Sequence, residues 1–287
     1  MMTHTLEVRN LTKKYERFTL DNVSFDLPMG CIMGVVGENG AGKSTLFKAI
    51  LNLIHRNAGE ILFWGKPMTD KDTKMREQIG VAFDAICFSE VLTVKQVGNI
   101  GKYTYKNWDS AQFQELVTRF ELPLKAEIKT LSKGMKMKLN LAFAMSHNAK
   151  LLILDEPTAG LDPIARDELL DLFLDFVQDE EHSILISSHI TTDLEKIADY
   201  ITFINKGKLA FTKEKDTLLY QYGIVRCGEK DLDAVKNAGC IAWKKNECNY
   251  DVLVEDREAM KRTFPHLVID NATIDEIMLL TVKGERV

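Results

Sequence analysis

The chain has 287 residues, 45% of them hydrophobic and 28% charged, and its 42 acidic and 37 basic side chains leave a net charge of −5. That length and apolar content can bury a core without disulfide or metal staples, in one large domain or two small ones. Collagen-like and disordered classes are excluded, and a general nucleic-acid binder, which carries a basic surplus, is disfavoured.

The start, Met1-Met2-Thr3-His4-Thr5-Leu6-Glu7, lacks the basic opening and apolar core of a signal peptide. Residues 6–10 and 24–27 read as strands. The apolar run 31–36 ends in glycines, and 45–53 reads as a helix carrying Leu46, Phe47, Ile50 and Leu53 on one face. Residues 60–64 and 80–83 read as two more strands. From about 92 to 145 the pattern is helical, and 109–120 opens on Asp109 as an N-cap with Phe113, Leu116, Val117 and Phe120 on one side. The continuous apolar stretch 151–154 fits a strand buried on both faces. Pro163 opens a helix reaching about 178. Another buried strand is expected at 183–187, and 200–205 with 208–212 frame a Lys206-Gly207 hairpin turn. After about Gly223 the composition shifts, with short strands at 224–227, 241–244 and 250–254 and a closing helix at 271–280. The sum is a layered α/β domain, a helical insertion and a small α+β tail. No run of about 18 apolar residues occurs, so no helix is expected to span a membrane. Cys31, Cys87, Cys227, Cys240 and Cys248 form no Cys-x-x-Cys pair and read as reduced thiols of a cytosolic protein.

Gly37-Glu38-Asn39-Gly40-Ala41-Gly42-Lys43-Ser44-Thr45 fits G-x-x-x-x-G-K-[ST] between an apolar strand and an amphipathic helix, the context that makes this pattern a phosphate loop rather than a bare glycine turn. Glycines let backbone amides converge on phosphate oxygens, and the helix N-terminus adds its positive dipole. Lys43 is suited to the β- and γ-phosphates and the Ser44 hydroxyl to Mg²⁺. Leu151-Leu152-Ile153-Leu154-Asp155-Glu156-Pro157 puts two acids at a strand end, where ligands of α/β sheets sit. Asp155 is placed for Mg²⁺, through water, and Glu156 for polarising an attacking water as general base.

With these two motifs in that order, about residues 4–220 resemble the ATP-binding-cassette (ABC) ATPase family. Leu131-Ser132-Lys133-Gly134-Met135 resembles the family signature, usually Leu-Ser-Gly-Gly-Gln. Ala159-Gly160-Leu161-Asp162 resembles the loop that crosses the dimer interface, His189 the switch histidine, and Tyr15 the aromatic that stacks on adenine. The resemblance implies a P-loop NTPase cassette with a RecA-like core, an antiparallel β subdomain and a helical subdomain at about 85–145, together spanning 1–222; the composition shift marks 223–287 as a small accessory α+β module. It also implies a head-to-tail dimer, expected to be a homodimer, with two ATP at the interface. Tyr15, Asn39, Gly40, Ala41, Gly42, Lys43, Ser44, Thr45, Ser132, Gly134 and Asp162 would then serve the nucleotide, the signature acting in trans. Lys43, Glu156 and His189 would be catalytic.

Two positions depart from the family pattern. Lys133 replaces the first signature glycine, and Met135 its glutamine. Asp84 stands where the family has a glutamine that reaches Mg²⁺; as a hard oxygen donor it joins Ser44 and Asp155 as an expected metal ligand. The apolar loop 85–92 is a candidate contact for a membrane subunit. The pattern is similar to bacterial exporter subunits, among them cassettes of antimicrobial- and cytolytic-peptide exporters, which implies an ATPase at the cytoplasmic face of the cell membrane. Its partner would be a separately encoded permease that binds the cargo, with no nucleic-acid partner. An importer cassette and a soluble regulatory ATPase are the alternatives; against the latter, one cassette is present and no heptad run separates Lys43 from Asp155.

Overall fold

Strands that are apolar at every position must be covered on both faces, and two different covers are present. The computed structural model describes residues 4–69 and 71–285; Met1, Met2 and Thr3, on which the signal-peptide reading partly rests, lie outside the described residues. The strands are β1 (His4–Lys14), β2 (Thr19–Pro28), β3 (Ile32–Val36), β4 (Ala58–Phe63), β5 (Lys66–Pro67), β6 (Ile79–Ala82), β7 (Leu151–Asp155), β8 (Ser183–Ser187), β9 (Tyr200–Asn205), β10 (Lys208–Glu214), β11 (Gly223–Cys227), β12 (Cys240–Lys245), β13 (Tyr250–Val254) and β14 (Val268–Asn271). The helices are α1 (Lys43–Ile50), α2 (Thr73–Arg76), α3 (Val94–Thr104), α4 (Ser110–Arg119), α5 (Lys133–Met145), α6 (Pro163–Phe176), α7 (Thr191–Ile197), α8 (Glu229–Asn237), α9 (Arg257–Thr263) and α10 (Ile274–Lys283).

Ten strands form one sheet in the order β5-β4-β1-β2-β10-β9-β3-β8-β7-β6. From β9 to β6 the neighbours run parallel, and β5, β4, β1 and β2 form an antiparallel arm. β10 joins the two, antiparallel to β9 and parallel to β2. Side chains alternate along each strand. Met33, Val35, Ile153 and Leu185 therefore share one face and pack with Leu46, Phe47 and Ile50 of α1 and with Leu6 and Val8 of the arm. Ile32, Val36, Leu152, Leu154, Ile184 and Ile186 face the other way, into a cluster with Val94 and Val97 of α3, Leu139 of α5, Leu169 of α6 and Leu194 of α7. Helix α1 is thus held between the arm and the parallel strands, and the loop before it inherits that rigidity. The hairpin between β9 and β10 braces the same loop. Gly207, at φ +79°, lies so close to β2 that a Cβ there would stand 1.9 Å from the Thr19 carbonyl oxygen, and its amide donates to the Ala41 carbonyl at 2.9 Å.

Helix α4 begins as its sequence demands: the Asp109 carboxylate accepts from the amides of Ala111 and Gln112 at 2.8 and 2.9 Å. The tail differs from the sequence expectation in what lies between its strands. Helices α8 and α9 and strand β14 complete a β-α-β-β-α-β unit, an antiparallel sheet in the order β12-β13-β11-β14. One face packs Val225, Cys227, Val252 and Val254 against Leu232 and Val235 of α8 and Met260 of α9. The other turns Ile224 and Leu253 into the core that also holds Leu194, Ile197, Leu218 and Tyr222, closed by Ile274, Ile277 and Leu280 of α10. The tail is a separate sheet with a shared core. All five cysteines are free, and burial, followed by the nearby Asp199, pushes the Cys31 thiol up to about 11, the opposite of a reactive thiolate.

Candidate functional site

The phosphate loop runs from the end of β3 into α1. Gly42 caps α1 at φ +113°, and a Cβ there would sit 2.8 Å from the ring of Phe18; the left-handed backbone and the close ring both require glycine. The loop bounds a cavity of about 320 Å³ lined by Glu38, Asn39, Gly40, Gly42, Lys43, Ser44 and Thr45, with Glu156 and Phe18 as walls. Ala41 is buried beneath it, its amide donating to the Glu38 carbonyl at 3.0 Å. Lys43 is only 7% exposed. Its Nζ donates to the Gly37 carbonyl at 2.7 Å and lies 3.5 Å from Glu156 Oε1.

The acids come from β7. Asp155 ends the strand and is 5% exposed. Ser187, opposite it on β8, donates its hydroxyl to Asp155 Oδ1 at 2.6 Å, while Ser187 Oγ accepts the Glu156 amide at 3.0 Å. Glu156 sits at φ +54°, a strained setting for a residue with a Cβ, of order 1–3 kcal/mol. The strain aims its carboxylate back over the loop. His189 completes the group: its Nδ1 lies 2.5 Å from Glu156 Oε2, and its amide donates to the same oxygen at 3.3 Å. The structure therefore brings together Lys43, Glu156 and His189, with one glutamate oxygen beside the lysine and the other held by the histidine.

Other expected site residues stand elsewhere. Tyr15 is 47% exposed beneath the Lys13 ammonium, 5.0 Å from its ring centre, and does not line the cavity. Its amide donates to the Phe18 carbonyl at 2.8 Å, a turn that carries Phe18 to the loop. Ser132 caps α5, its Oγ accepting the Met135 amide at 3.2 Å. Gly134 packs α5 on the loop after β7, where a Cβ would stand 2.9 Å from Leu161 Cδ2. Asp162 caps α6 by accepting the amides of Ile164 and Ala165 at 3.1 and 3.0 Å; the Ala165 amide first, then that of Ile164, hold its carboxyl below the usual range. Asp84 is half exposed and paired with Lys133 at 2.6 Å.

Comparison with known proteins places the chain in a family. The family model described as ABC transporter matches residues 20–159. A lantibiotic transport ATP-binding protein of Streptococcus pyogenes, SrtF, is 34% identical over 231 residues, covering 74% of this chain and 91% of the relative. The chain belongs to the ABC transporter ATP-binding family. The ABC transporter ATP-binding protein YtrB of Bacillus subtilis is 30% identical over 262 residues, 90% of this cassette and 89% of its own length. A solved ATP-binding subunit of an ABC transporter superposes with TM-score 0.67 at 28% identity, covering 75% of this chain and 91% of that one. The cassette binds ATP and hydrolyses it in the service of transport.

Two cassette residues escape a reading of the sequence. Phe18 is one aromatic among several near the amino terminus, and nothing in its spacing marks it. Ser187 is one hydroxyl in an apolar strand; only the parallel β7–β8 register, Asp155 opposite Ser187, reveals its use. Replacing Ser187 by alanine orphans Asp155 Oδ1, whereas the Glu156 amide keeps the Ser187 carbonyl at 3.2 Å. The expected loss is therefore that of one unsatisfied buried group, about 1–3 kcal/mol, measured by urea unfolding.

The donor set suits Mg²⁺. Ser44 offers a hydroxyl engaged by no other described side chain, and Asp155 has committed only Oδ1 to Ser187. Among the described residues no group of three His, Cys, Asp or Glu side chains is close enough to hold a metal alone. Mg²⁺ keeps several waters and takes its remaining oxygens from one or two protein groups and the nucleotide phosphates, and Asp155 Oδ2 and the Ser44 hydroxyl are oxygens of that kind.

Proposed function

We propose that this cassette is the motor of a bacterial exporter, working as a homodimer on the cytoplasmic face of the cell membrane with a separate permease subunit that binds the cargo. What supports the catalytic assignment is the convergence of Lys43, Glu156 and His189 on the phosphate-loop cavity. What supports a peptide or peptide-like cargo is the similarity to a lantibiotic transport protein. Among the described residues no helix is long and apolar enough to cross a membrane, so the passage belongs to the partner.

The chemistry follows from the contacts. Before nucleotide arrives, Lys43 is held by the Gly37 carbonyl and Glu156. The β- and γ-phosphates, with several negative charges, outbid one carbonyl and one carboxylate for the ammonium. Glu156 Oε1 is then released to face water, while His189 keeps Oε2 in place. The water oxygen attacks the γ-phosphorus, its proton passes to Glu156, and the bond to the β–γ bridging oxygen breaks to leave ADP and phosphate. Ser44, Asp155 and Asp84 would hold Mg²⁺, which when bound neutralises charge on the β- and γ-oxygens. Ser132 and Gly134, at the N-terminus of α5, would add amide and hydroxyl donors to the partner's γ-phosphate, and Asp162 would lie at the dimer seam.

The test is recovery of tagged Glu156→Gln protein from mildly solubilised membranes, with and without MgATP, and mass spectrometry of what accompanies it. A stoichiometric integral membrane protein is the expected result, and its sequence bears on direction and cargo. Soluble partners alone, with the membrane fraction empty, would shift the reading to a regulatory ATPase.

A further inference from the structure

The loop that follows β6 is fastened to one face of α5 by three contacts on successive turns. Asn140, 4% exposed, donates its side-chain amide to the Phe83 carbonyl at 3.2 Å and lies 3.5 Å from that of Ala85. Lys136 pairs with Glu90 at 3.0 Å. Lys133 pairs with Asp84 at 2.6 Å. Positions 133, 136 and 140 share a helix face. Lys133 is electrostatically misplaced by itself, because it is the first residue of α5, where the helix dipole disfavours a cation and no acidic residue stands in the first turn. Asp84 offsets both the lysine and that repulsion. The aliphatic stem of Lys133 also lies over Gly160, 4.0 Å from where a Cβ would be, so one lysine touches the loops after β6 and β7.

We propose that Lys133 is a positioning residue for Asp84: the ion pair holds the carboxylate on the signature helix, and Asp84 turns to the nucleotide-bound Mg²⁺ only by giving up Lys133. The proposal rests on the reading of Asp84 as a metal ligand. The lysine thereby sets how much Mg²⁺ the site requires, and it ties the recruitment of the metal ligand to the position of α5.

Both residues are exposed, so the substitutions leave the core intact. The Mg²⁺ concentration for half-maximal binding of a fluorescent non-hydrolysable ATP analogue, and for half-maximal ATP hydrolysis, are measured in the parent, Lys133→Ala, Lys133→Arg, Asp84→Asn and the Lys133→Ala/Asp84→Asn double variant. Lys133→Ala is expected to lower both concentrations about two- to fivefold, the range set by an exposed ion pair. Lys133→Arg is expected to restore the parent values, and Lys133→Ala to shift nothing in the Asp84→Asn background. A raised Mg²⁺ requirement in Asp84→Asn without any shift in Lys133→Ala, or an equal Lys133→Ala shift in both backgrounds, overturns the positioning role alone. An Asp84→Asn variant with the parent's Mg²⁺ dependence overturns the metal-ligand reading and this proposal with it.

Discussion

Glu156→Gln protein is expected to bind MgATP and to hydrolyse it about 10²–10⁴ times more slowly than the parent, the range that a positioned general base supplies. The carboxamide keeps the shape and an oxygen toward His189 but accepts no proton from water. Binding survives, because in the free protein Glu156 competes with the phosphates for Lys43 across 3.5 Å, and the neutral side chain competes less. If the cassette dimerises as proposed, tight binding with arrested hydrolysis is expected to accumulate the closed dimer, read as a doubled mass by size exclusion with light scattering in MgATP. Single-turnover hydrolysis measures the chemical step. A rate within threefold of the parent would remove Glu156 from the role of base.

Lys43→Ala is expected to weaken ATP binding about 100-fold. A charge-assisted hydrogen bond contributes about 1.5–3 kcal/mol net, and the lysine can reach two phosphates. Against that stands what it gives up, the Gly37 carbonyl at 2.7 Å and Glu156, so the gain on binding is a difference and not the sum. Glu156 feels the loss as well: its carboxylate, 18% exposed, loses the ammonium at 3.5 Å and keeps the contact with His189. Titration with a fluorescent nucleotide gives the affinity. A change below threefold would mean that the lysine stays on its own loop when ATP is bound, and that the backbone amides alone hold the phosphates.

What could be read from the sequence was whatever is written in consecutive residues. The phosphate loop was legible because strand, glycines, lysine and helix follow one another, and α1 begins at Lys43 as the motif demands. Asp109 announced α4 and Pro163 announced α6 in the same way. The strands of the tail were legible from β-branched runs, but α8, α9 and β14 were not. Helix α8 turns only Leu232 and Val235 to the core and α9 only Met260, and β14 lies at a sheet edge with Val268 exposed, so the apolar period that betrays an element is faint. The closing helix was legible with shifted ends, since the sequence ran it over 271–280 whereas α10 starts after its capping Thr273 and continues to Lys283. Contacts that join distant segments left no local trace. Ser187 on Asp155, Phe18 over Gly42 and Lys133 on Asp84 exist only once sheet register and helix packing are fixed. Lys133 and Asp84 each stood out as departures from the family pattern, yet nothing in the sequence shows that the two meet.

Helix α7 begins just beyond His189, and its Leu194 and Ile197 share a core with Ile274, Ile277 and Leu280 of α10. The segment carrying the histidine is thus the short arm of a lever whose long arm is the carboxy-terminal sheet. A displacement of that sheet would press, through packed side chains that yield little, on the segment whose His189 holds the outer oxygen of Glu156. That continuous packing reaches the hydrolytic centre from behind, by a path that contains no residue of the phosphate loop.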